Sequence, residues 1–134
     1  MEYVGEVVET VNRYGASDWC VITAFEWESL MRVRELSPGQ RTGWLTRLSD
    51  MSAEDAIGRT ADAAVTQICP HVSTTDRALV EQAHESGLKV RCWGLGEDKG
   101  PQMRRLVALG VDGMTTNHPD VLMDIARERK PPAA

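Results

Sequence analysis

Apolar residues at helical spacing open the chain. Val4, Val7 and Val8 recur at intervals of three and four residues, which predicts an amphipathic helix near the N-terminus. Gly15 stands where a left-handed cap is common, so we expect the helix to end there. Residues 19–25 are then almost continuously apolar and rich in β-branched and aromatic side chains. A short run of that kind is typical of a strand that is buried on both faces.

The same alternation continues towards the C-terminus. Further strands are predicted at 42–48, 64–69, 89–95 and 111–116, and further helices at 29–36, 52–60, 74–86, 101–110 and 119–129. Strict alternation with short connections predicts parallel strands joined by right-handed crossovers, and therefore an α/β protein. Two architectures satisfy this pattern, an open doubly wound sheet and a segment of a (β/α)8 barrel. Periodicity does not distinguish them, although a full barrel needs about 200–250 residues.

Local signals mark where some of these helices begin. Ser52 and Asp55 have the spacing of a capping box, in which the first side chain accepts a hydrogen bond from the helix backbone. Thr74 or Thr75 is predicted to cap the helix that follows the third strand. Pro101 is predicted to be the first residue of its helix, because proline lacks the N–H group that would be unpaired there.

Composition and charge describe an ordinary water-soluble domain. The chain is 42% apolar and 26% charged, and its 134 residues suffice for one domain. Its net charge of −5, with both signs spread along the chain, argues against a nucleic-acid partner and against attraction to anionic membranes. No apolar run reaches the roughly 18–20 residues of a membrane span. The acidic segment 1–10 lacks the layout of a signal peptide, so the expected location is the cytoplasm.

Neither the cysteines nor the glycines form a recognised metal or cofactor motif. Cys20, Cys69 and Cys92 are odd in number and lack a Cys-x-x-Cys spacing, which argues against a disulfide framework or a zinc site. We interpret them as three buried thiols. The glycines of segment 94–96 follow a predicted strand, but Gly100 comes one place too late for a dinucleotide-binding loop.

Three segments together resemble one known family. Residues 14–25 lead through an apolar strand to Ala-Phe, and residues 83–93 run from a helix end through a glycine and a strand to a tryptophan. Residues 106–120 contain Leu-Gly-Val-Asp-Gly, followed after one methionine by Thr-Thr-Asn-His-Pro-Asp. Their order and spacing, over about residues 3–127, resemble the second half of the glycerophosphodiester phosphodiesterase barrel.

The resemblance implies the fold. It favours the barrel segment over the open sheet, so the expected architecture is half of a TIM (β/α)8 barrel. The expected organisation is a single partial domain over residues 1–134, with a leading helix at 1–15 and a disordered tail at 131–134.

The resemblance also implies a pocket. Phe25 and Trp93 fall at the carboxyl ends of predicted strands, which is the face that carries the active site in barrels. Their rings are expected to bind substrate by shaping a pocket for a glycerol or alkyl group. Gly110 and Gly113 are interpreted as permitting a tight turn, and Asp112 as capping backbone amides there.

The chemistry of the family is not expected in this segment. Its members carry an early His-Arg-Gly motif, a Glu-x-Asp pair, a second histidine and a later glutamate, and they use calcium or magnesium. All of these belong to the first half of the barrel, and this sequence has no match to them. We therefore predict no catalytic residue and no metal or other cofactor bound by this chain alone, and an isolated chain that is inactive unless complemented. The alternative is a non-catalytic, self-assembling or small-ligand-binding module.

One local cluster could replace the missing ligands. His71 and His118 each follow a predicted strand end, as does Glu26, and Asp98 lies in a loop on the same face. A pair of histidines with a carboxylate could bind a transition metal. The other interpretation is that these are solvated loop residues.

A half-barrel also raises the question of a partner. Alone it would expose two strand edges and, we expect, an apolar inner face, which soluble proteins rarely tolerate. The sequence therefore predicts either a homodimer or association with a complementing N-terminal half-barrel.

Overall fold

Five parallel strands with helices between them make up the protein. The computed structural model describes residues 2–49, 51–97 and 99–129, so the predicted tail at 131–134 and Asp98 lie outside the described residues. The elements in chain order are α1 (Glu2–Arg13), β1 (Val21–Ala24), α2 (Trp27–Leu36), β2 (Arg41–Thr46), α3 (Ala53–Asp62), β3 (Gln67–Pro70), α4 (Arg77–Glu85), β4 (Lys89–Cys92), α5 (Lys99–Leu109), β5 (Gly113–Met114) and α6 (Pro119–Arg129). No helix in the described ranges is long and apolar enough to cross a membrane.

The order of the strands decides the architecture. The sheet runs β1-β2-β3-β4-β5, and every neighbouring pair is parallel. A doubly wound sheet reverses its strand order at a switch point, whereas a barrel adds each new strand beside the last. The prediction of a half-barrel is therefore confirmed, and the open doubly wound sheet is excluded.

The helix-start signals were partly wrong. Ser52 does cap α3, because its hydroxyl accepts a hydrogen bond from the Asp55 backbone N–H at 3.1 Å. The cap of α4 is Asp76 rather than Thr74 or Thr75, since an Asp76 carboxylate oxygen accepts from the Leu79 N–H at 2.8 Å. The buried Thr75 hydroxyl instead donates to the His71 carbonyl oxygen at 2.9 Å, so it is turned away from the helix.

Several element boundaries also differ from the pattern, among them those of α5 and β1. α5 begins at Lys99, two residues before Pro101. Proline costs nothing at this third position, because the first N–H groups of a helix have no acceptor within it. Strand β1 begins at Val21 rather than at residue 19, because Trp19 lies in a turn with 74% of its surface exposed. Apolar residues that flank a strand thus extended the predicted segments beyond the hydrogen-bonded ladder.

The main core lies between the sheet and the helices. Alternate strand residues face the helices and are buried there, among them Trp44, Ile68 and Val90. Leu30 of α2 and Leu106 of α5 are completely inaccessible in the same cluster. Each fully buried side chain of this size contributes about 1.5–3 kcal/mol, so this layer dominates the stability of the half-barrel.

The opposite side of the sheet, called the inner face below, is not the apolar surface that we expected. It consists of the remaining strand residues: Val21, Thr23, Arg41, Gly43, Leu45, Gln67, Cys69, Lys89, Arg91 and Gly113. A Cβ at Gly43 would lie 3.0 Å from Thr23 Cγ2 and 3.1 Å from Cys69 Sγ, so these residues share one face. Three of the ten are cationic, because the helices cover only the other side and leave this one free to carry charge.

The cysteines differ in exposure. Cys69 and Cys92 are buried, but Cys20 is half-buried, so the interpretation as three buried thiols was wrong for Cys20. Burial raises the pKa of the Cys69 thiol to about 11 and also raises that of Cys92. The pKa of Cys69 rises although Arg91 nearby favours its thiolate, because the cost of removing a charge from water is larger.

We expect iodoacetamide to label Cys20 of the native chain well before Cys69 and Cys92. A pKa of about 11 leaves Cys69 with about 100-fold less thiolate at pH 8 than a thiol of pKa 9 would have, and its sulfur is also shielded. Mass spectrometry of peptides from timed samples measures the three rates, and labelling in denaturant provides the control in which they converge. Equal rates in the native state would contradict the burial of these two side chains.

Candidate functional site

Four side chains meet at the carboxyl ends of neighbouring strands. Phe25 follows β1, Arg47 follows β2, His71 follows β3 and Trp93 follows β4. The Trp93 ring makes edge-on contacts with Phe25 and His71, at centroid distances of 5.1 and 4.6 Å. The Arg47 guanidinium carbon lies 4.7 Å from the Phe25 ring centroid and 5.8 Å from that of Trp93. These four residues are called the aromatic–cation cluster below.

Backbone pairing holds two members of the cluster side by side. His71 and Trp93 form a parallel bridge beyond the ends of β3 and β4, and the Val72 N–H donates to the Trp93 carbonyl oxygen at 2.9 Å. The Ser73 backbone N–H donates to His71 Nδ1 at 3.1 Å. The neutral His71 ring therefore carries its proton on Nε2, because Nδ1 is used as an acceptor.

Gly94 makes room for the His71 ring. Its φ angle is +89°, which side chains with a Cβ rarely adopt. A Cβ at this position would lie 2.3 Å from His71 Nε2 and 2.4 Å from its Cδ2. The absence of a side chain at Gly94 is thus a condition for packing His71 against Trp93.

Phe25 is available to a ligand. It is 42% exposed, so the interpretation of this residue as a pocket wall agrees with its exposure better than packing in the core does. Its carbonyl oxygen accepts a hydrogen bond from Trp44 Nε1 at 3.0 Å, which ties the segment after β1 to β2. A cleft of about 570 Å³ adjoins the ring and includes Arg47 and Ser49 in its lining.

Arg47 has no acidic partner within the described ranges. The ion pairs there involve other residues, and Arg47 instead contacts two aromatic rings. Guanidinium stacked on ring faces keeps its N–H donors free at the edge. Trp93 Nε1 is buried and likewise has no hydrogen-bond partner in this part of the chain, at a cost of about 1–3 kcal/mol. The cluster therefore presents the positive charge and the N–H donors of Arg47.

The three residues of the alternative metal site are not brought together. His118 lines a separate cleft of about 420 Å³ with Lys99 and Asn117, and His71 is not part of that lining. The Glu26 carboxylate accepts a hydrogen bond from the Ser29 hydroxyl at 3.2 Å at the start of α2. Within the described ranges, no three His, Cys, Asp or Glu side chains are grouped so that they could hold a metal ion.

The four residues of the aromatic–cation cluster also do not fit the calcium or magnesium that the family resemblance implies for a complete barrel. Such ions require several convergent oxygen ligands. The aromatic–cation cluster offers a guanidinium, an imidazole and an indole N–H instead. The chemistry of these residues therefore does not support a reaction step through a metal ion that they hold.

Two predictions for the turn between α5 and β5, concerning Gly110 and Asp112, can be compared with the structure. Gly110 has a φ angle of +86° after α5, as a tight turn requires. The Asp112 carboxylate accepts from the Val90 backbone N–H and lies within hydrogen-bond distance of His84 Nε2, both at 2.8 Å. The structural interpretation of Gly110 and Asp112 is confirmed, and it places them at the amino end of the strands, away from the cluster.

Arg47 is the member of the cluster that sequence reasoning missed. It lies near the end of the predicted strand 42–48 and is not among the predicted site residues. A usable signal was present, because Arg47 lies two residues after Leu45 and therefore on the same side of the strand. Combined with Phe25 at the end of the neighbouring strand, that alternation points to the same pocket.

Comparison with known proteins identifies the family. The sequence profile of the Glycerophosphoryl diester phosphodiesterase family matches residues 1–121, which is most of the chain. The chain belongs to this family. It is 23% identical over 123 residues to a glycerophosphodiester phosphodiesterase of Caldanaerobacter subterraneus subsp. tengcongensis, covering 92% of this chain and 49% of that protein. The family member thus spans about half the length of the relatives that it matches.

Solved structures show the same fold. A glycerophosphodiester phosphodiesterase from Parabacteroides distasonis superposes with a TM-score of 0.80 at 17% identity, covering 96% of this chain and 51% of that one. A phosphodiesterase from Oleispira antarctica, solved in complex with the product sn-glycerol-3-phosphate, superposes with a TM-score of 0.76 at 15% identity, covering 92% and 49%. The half-barrel of this glycerophosphodiester phosphodiesterase family member therefore corresponds to about half of each of these structures.

Proposed function

We propose that this chain is the ligand-binding second half of a glycerophosphodiester phosphodiesterase barrel. In this role the aromatic–cation cluster binds a glycerophosphodiester, and hydrolysis to glycerol 3-phosphate and an alcohol depends on a complementing first half. The observation that carries the proposal is the stacking of Arg47, which has no acidic partner among the described residues, on Phe25 beside Trp93.

The chemistry of the cluster suits the two parts of such a ligand. The free N–H donors of Arg47 match the oxygens of a phosphate ester, for which a planar guanidinium is well shaped. The exposed Phe25 ring offers an apolar surface to the carbon chain of a glycerol or alkyl group. The bound sn-glycerol-3-phosphate of the Oleispira antarctica phosphodiesterase contains both parts, which supports the same ligand class here.

The proposal separates binding from turnover. Cleaving a phosphodiester requires proton transfer and stabilisation of the developing charge. In the cluster, only His71 is a candidate for proton transfer, and its Nε2 faces Gly94 rather than the cleft. We therefore expect the isolated chain to bind the ligand but not to release glycerol 3-phosphate from glycerophosphocholine.

The test is a titration of the purified chain with sn-glycerol 3-phosphate. Binding is followed by the NMR signal of the Trp93 indole N–H, and we expect Arg47→Gln to weaken the affinity about 10–100-fold, since hydrogen bonds to a charged group contribute about 1.5–3 kcal/mol. Arg13→Gln is the matched control, because it removes an equal charge from the exposed side of α1. Equal affinity of the two variants would exclude Arg47 from the ligand site.

Turnover is measured on the same samples with calcium or magnesium added. Absence of product with preserved binding fits the proposed half-site. Metal-dependent turnover by the purified chain would show that loop residues of this chain perform the chemistry. The division into a binding half and a complementing half would then have to be abandoned.

A further inference from the structure

The inner face of the half-barrel carries an excess of positive charge. Arg41, Lys89 and Arg91 belong to it, Arg47 lies just beyond its carboxyl end, and none of its ten residues is acidic. The whole chain, by contrast, has a net charge of −5. Charge on this face is therefore opposite in sign to that of the molecule as a whole.

These cations are only partly compensated from within the chain. Arg41 donates to the backbone carbonyl oxygen of Asp18, which leaves its net charge in place. Lys89 Nζ is 3.9 Å from a carboxylate oxygen of Asp112 at the amino-end rim, but the other oxygen of Asp112 is already used by Val90 and His84. Arg91 contacts Cys69, whose raised pKa keeps the thiol neutral.

The three strand cations lie close enough to act together. Arg41, Lys89 and Arg91 line a single cleft of about 460 Å³ at the amino ends of the strands, in which Asp112 is the one acidic lining residue among those described. Beside this cleft, β1 and β5 each have one edge without a strand partner among the described residues. An unpaired edge offers a row of backbone donors and acceptors to another strand. A strand-forming partner could therefore pair with both edges and cover the basic inner face between them.

We propose that this inner face receives a strand-forming segment of different sequence, one that presents carboxylates to the three strand cations, and not a second copy of this chain. Two identical copies closed face to face would place six of these cations in one interior, where like charges repel more strongly than in water. A strand-forming partner with an acidic inner surface satisfies both the charge and the open edges. This inference rests on the complementing first half of the proposed function and adds the chemistry of that partner, namely carboxylates at the amino ends of the strands.

The test uses a charge reversal of the inner face. In the variant Arg41→Glu/Lys89→Glu, both substituted side chains are exposed in the wild type, so the fold is expected to survive. Light scattering at low ionic strength should give one-chain masses of about 14.8 kDa for the wild type and for the variant alone. An equimolar mixture should show twice that mass, and the complex should dissociate at about 0.5 M salt, where the screening length falls to a few ångströms.

A control variant separates charge on this face from charge in general. Arg13→Glu/Arg127→Glu changes the net charge equally on the exposed sides of α1 and α6 and should not associate with the wild type. Circular dichroism checks each variant for folding, and Lys89→Glu alone replaces the double variant if needed, since that side chain is 69% exposed.

Three results would overturn the proposal. The first is a wild-type dimer that the inner-face variant abolishes, which would identify a second copy as the occupant. The second is no association between the wild type and the inner-face variant. The third is binding of a single-stranded oligonucleotide by the wild type that the variant loses, which would identify a phosphate polymer. Binding of glycerol 3-phosphate at the aromatic–cation cluster should be unchanged in this variant, so failure of the association leaves the proposed ligand site intact. Loss of ligand binding in Arg47→Gln would likewise leave the association intact.

Discussion

Replacement of Gly94 by alanine is expected to destabilise the native chain by about 2–5 kcal/mol and to displace the His71 ring. The left-handed backbone at this residue costs an alanine about 1–2 kcal/mol. The new methyl group would also lie 2.3 Å from His71 Nε2, and relieving such an overlap in a packed site typically costs about 1–3 kcal/mol more. Urea unfolding measures the loss of stability, and near-ultraviolet circular dichroism reports the changed surroundings of Trp93.

Gly87→Ala is the matched control for this experiment. Gly87 has a similar φ angle of +80°, but a Cβ there would meet no atom within 4 Å. Its substitution should therefore cause only the backbone loss of about 1–2 kcal/mol and leave the tryptophan signal unchanged. Equal losses for the two variants would mean that Gly94 is required for its backbone conformation alone, and not for the placement of His71.

The consequence for binding follows from the geometry of the cluster. His71 contacts the ring of Trp93, which in turn contacts Phe25. A shift of His71 should therefore change the site to which the ligand is proposed to bind, although Gly94 itself does not line the cleft beside Phe25. We expect Gly94→Ala to weaken the binding of glycerol 3-phosphate, whereas Gly87→Ala should not.

The second large effect is expected for Leu30→Ala. Leu30 is completely inaccessible and lies in the same buried cluster as Trp44 and Ile68. Truncating such a side chain removes apolar contacts and leaves a cavity, for which losses of about 2–5 kcal/mol in unfolding free energy are usual. Because the chain has one main core, the loss should appear as a lower denaturant midpoint with an unchanged slope.

Leu36→Ala in the same helix is the control for this loss. Leu36 is 40% exposed, so its truncation removes fewer contacts and leaves no closed cavity. We expect a loss below about 1 kcal/mol, close to the range of surface substitutions. Similar losses for Leu30 and Leu36 would contradict the burial of α2 against the sheet.

Much of the local structure could be predicted from the sequence. The helical spacing of Val4 and Val8, the cap at Ser52 and the left-handed turn at Gly15 depend on interactions within a few residues, and each appears in the structure. Phe25 and Trp93 could be placed at the carboxyl face because parallel strands all end on the same side of a sheet. The residues that resemble the family extended this reasoning to the half-barrel itself.

Other features were misjudged because a local signal competed with a tertiary contact. Thr75 has the side chain of a helix cap, but its hydroxyl bonds to the His71 carbonyl and approaches Cys92, which leaves Asp76 to cap α4. Arg47 was missed because the sequence does not show on which rings an arginine will stack. Those rings follow β1 and β4, which are distant in sequence from Arg47.

The sequence by itself determined the alternation of helices and strands, their turns and the strand ends at which a pocket could form, because all of these follow from short-range periodicity and backbone preferences. The tertiary structure confirmed the half-barrel order, which only the family resemblance had indicated, and it alone decided that the inner face is basic. It also brought Arg47 to Phe25 and Trp93. These properties depend on which strands become neighbours and on which side the helices cover, and both are set by packing between segments far apart in the chain.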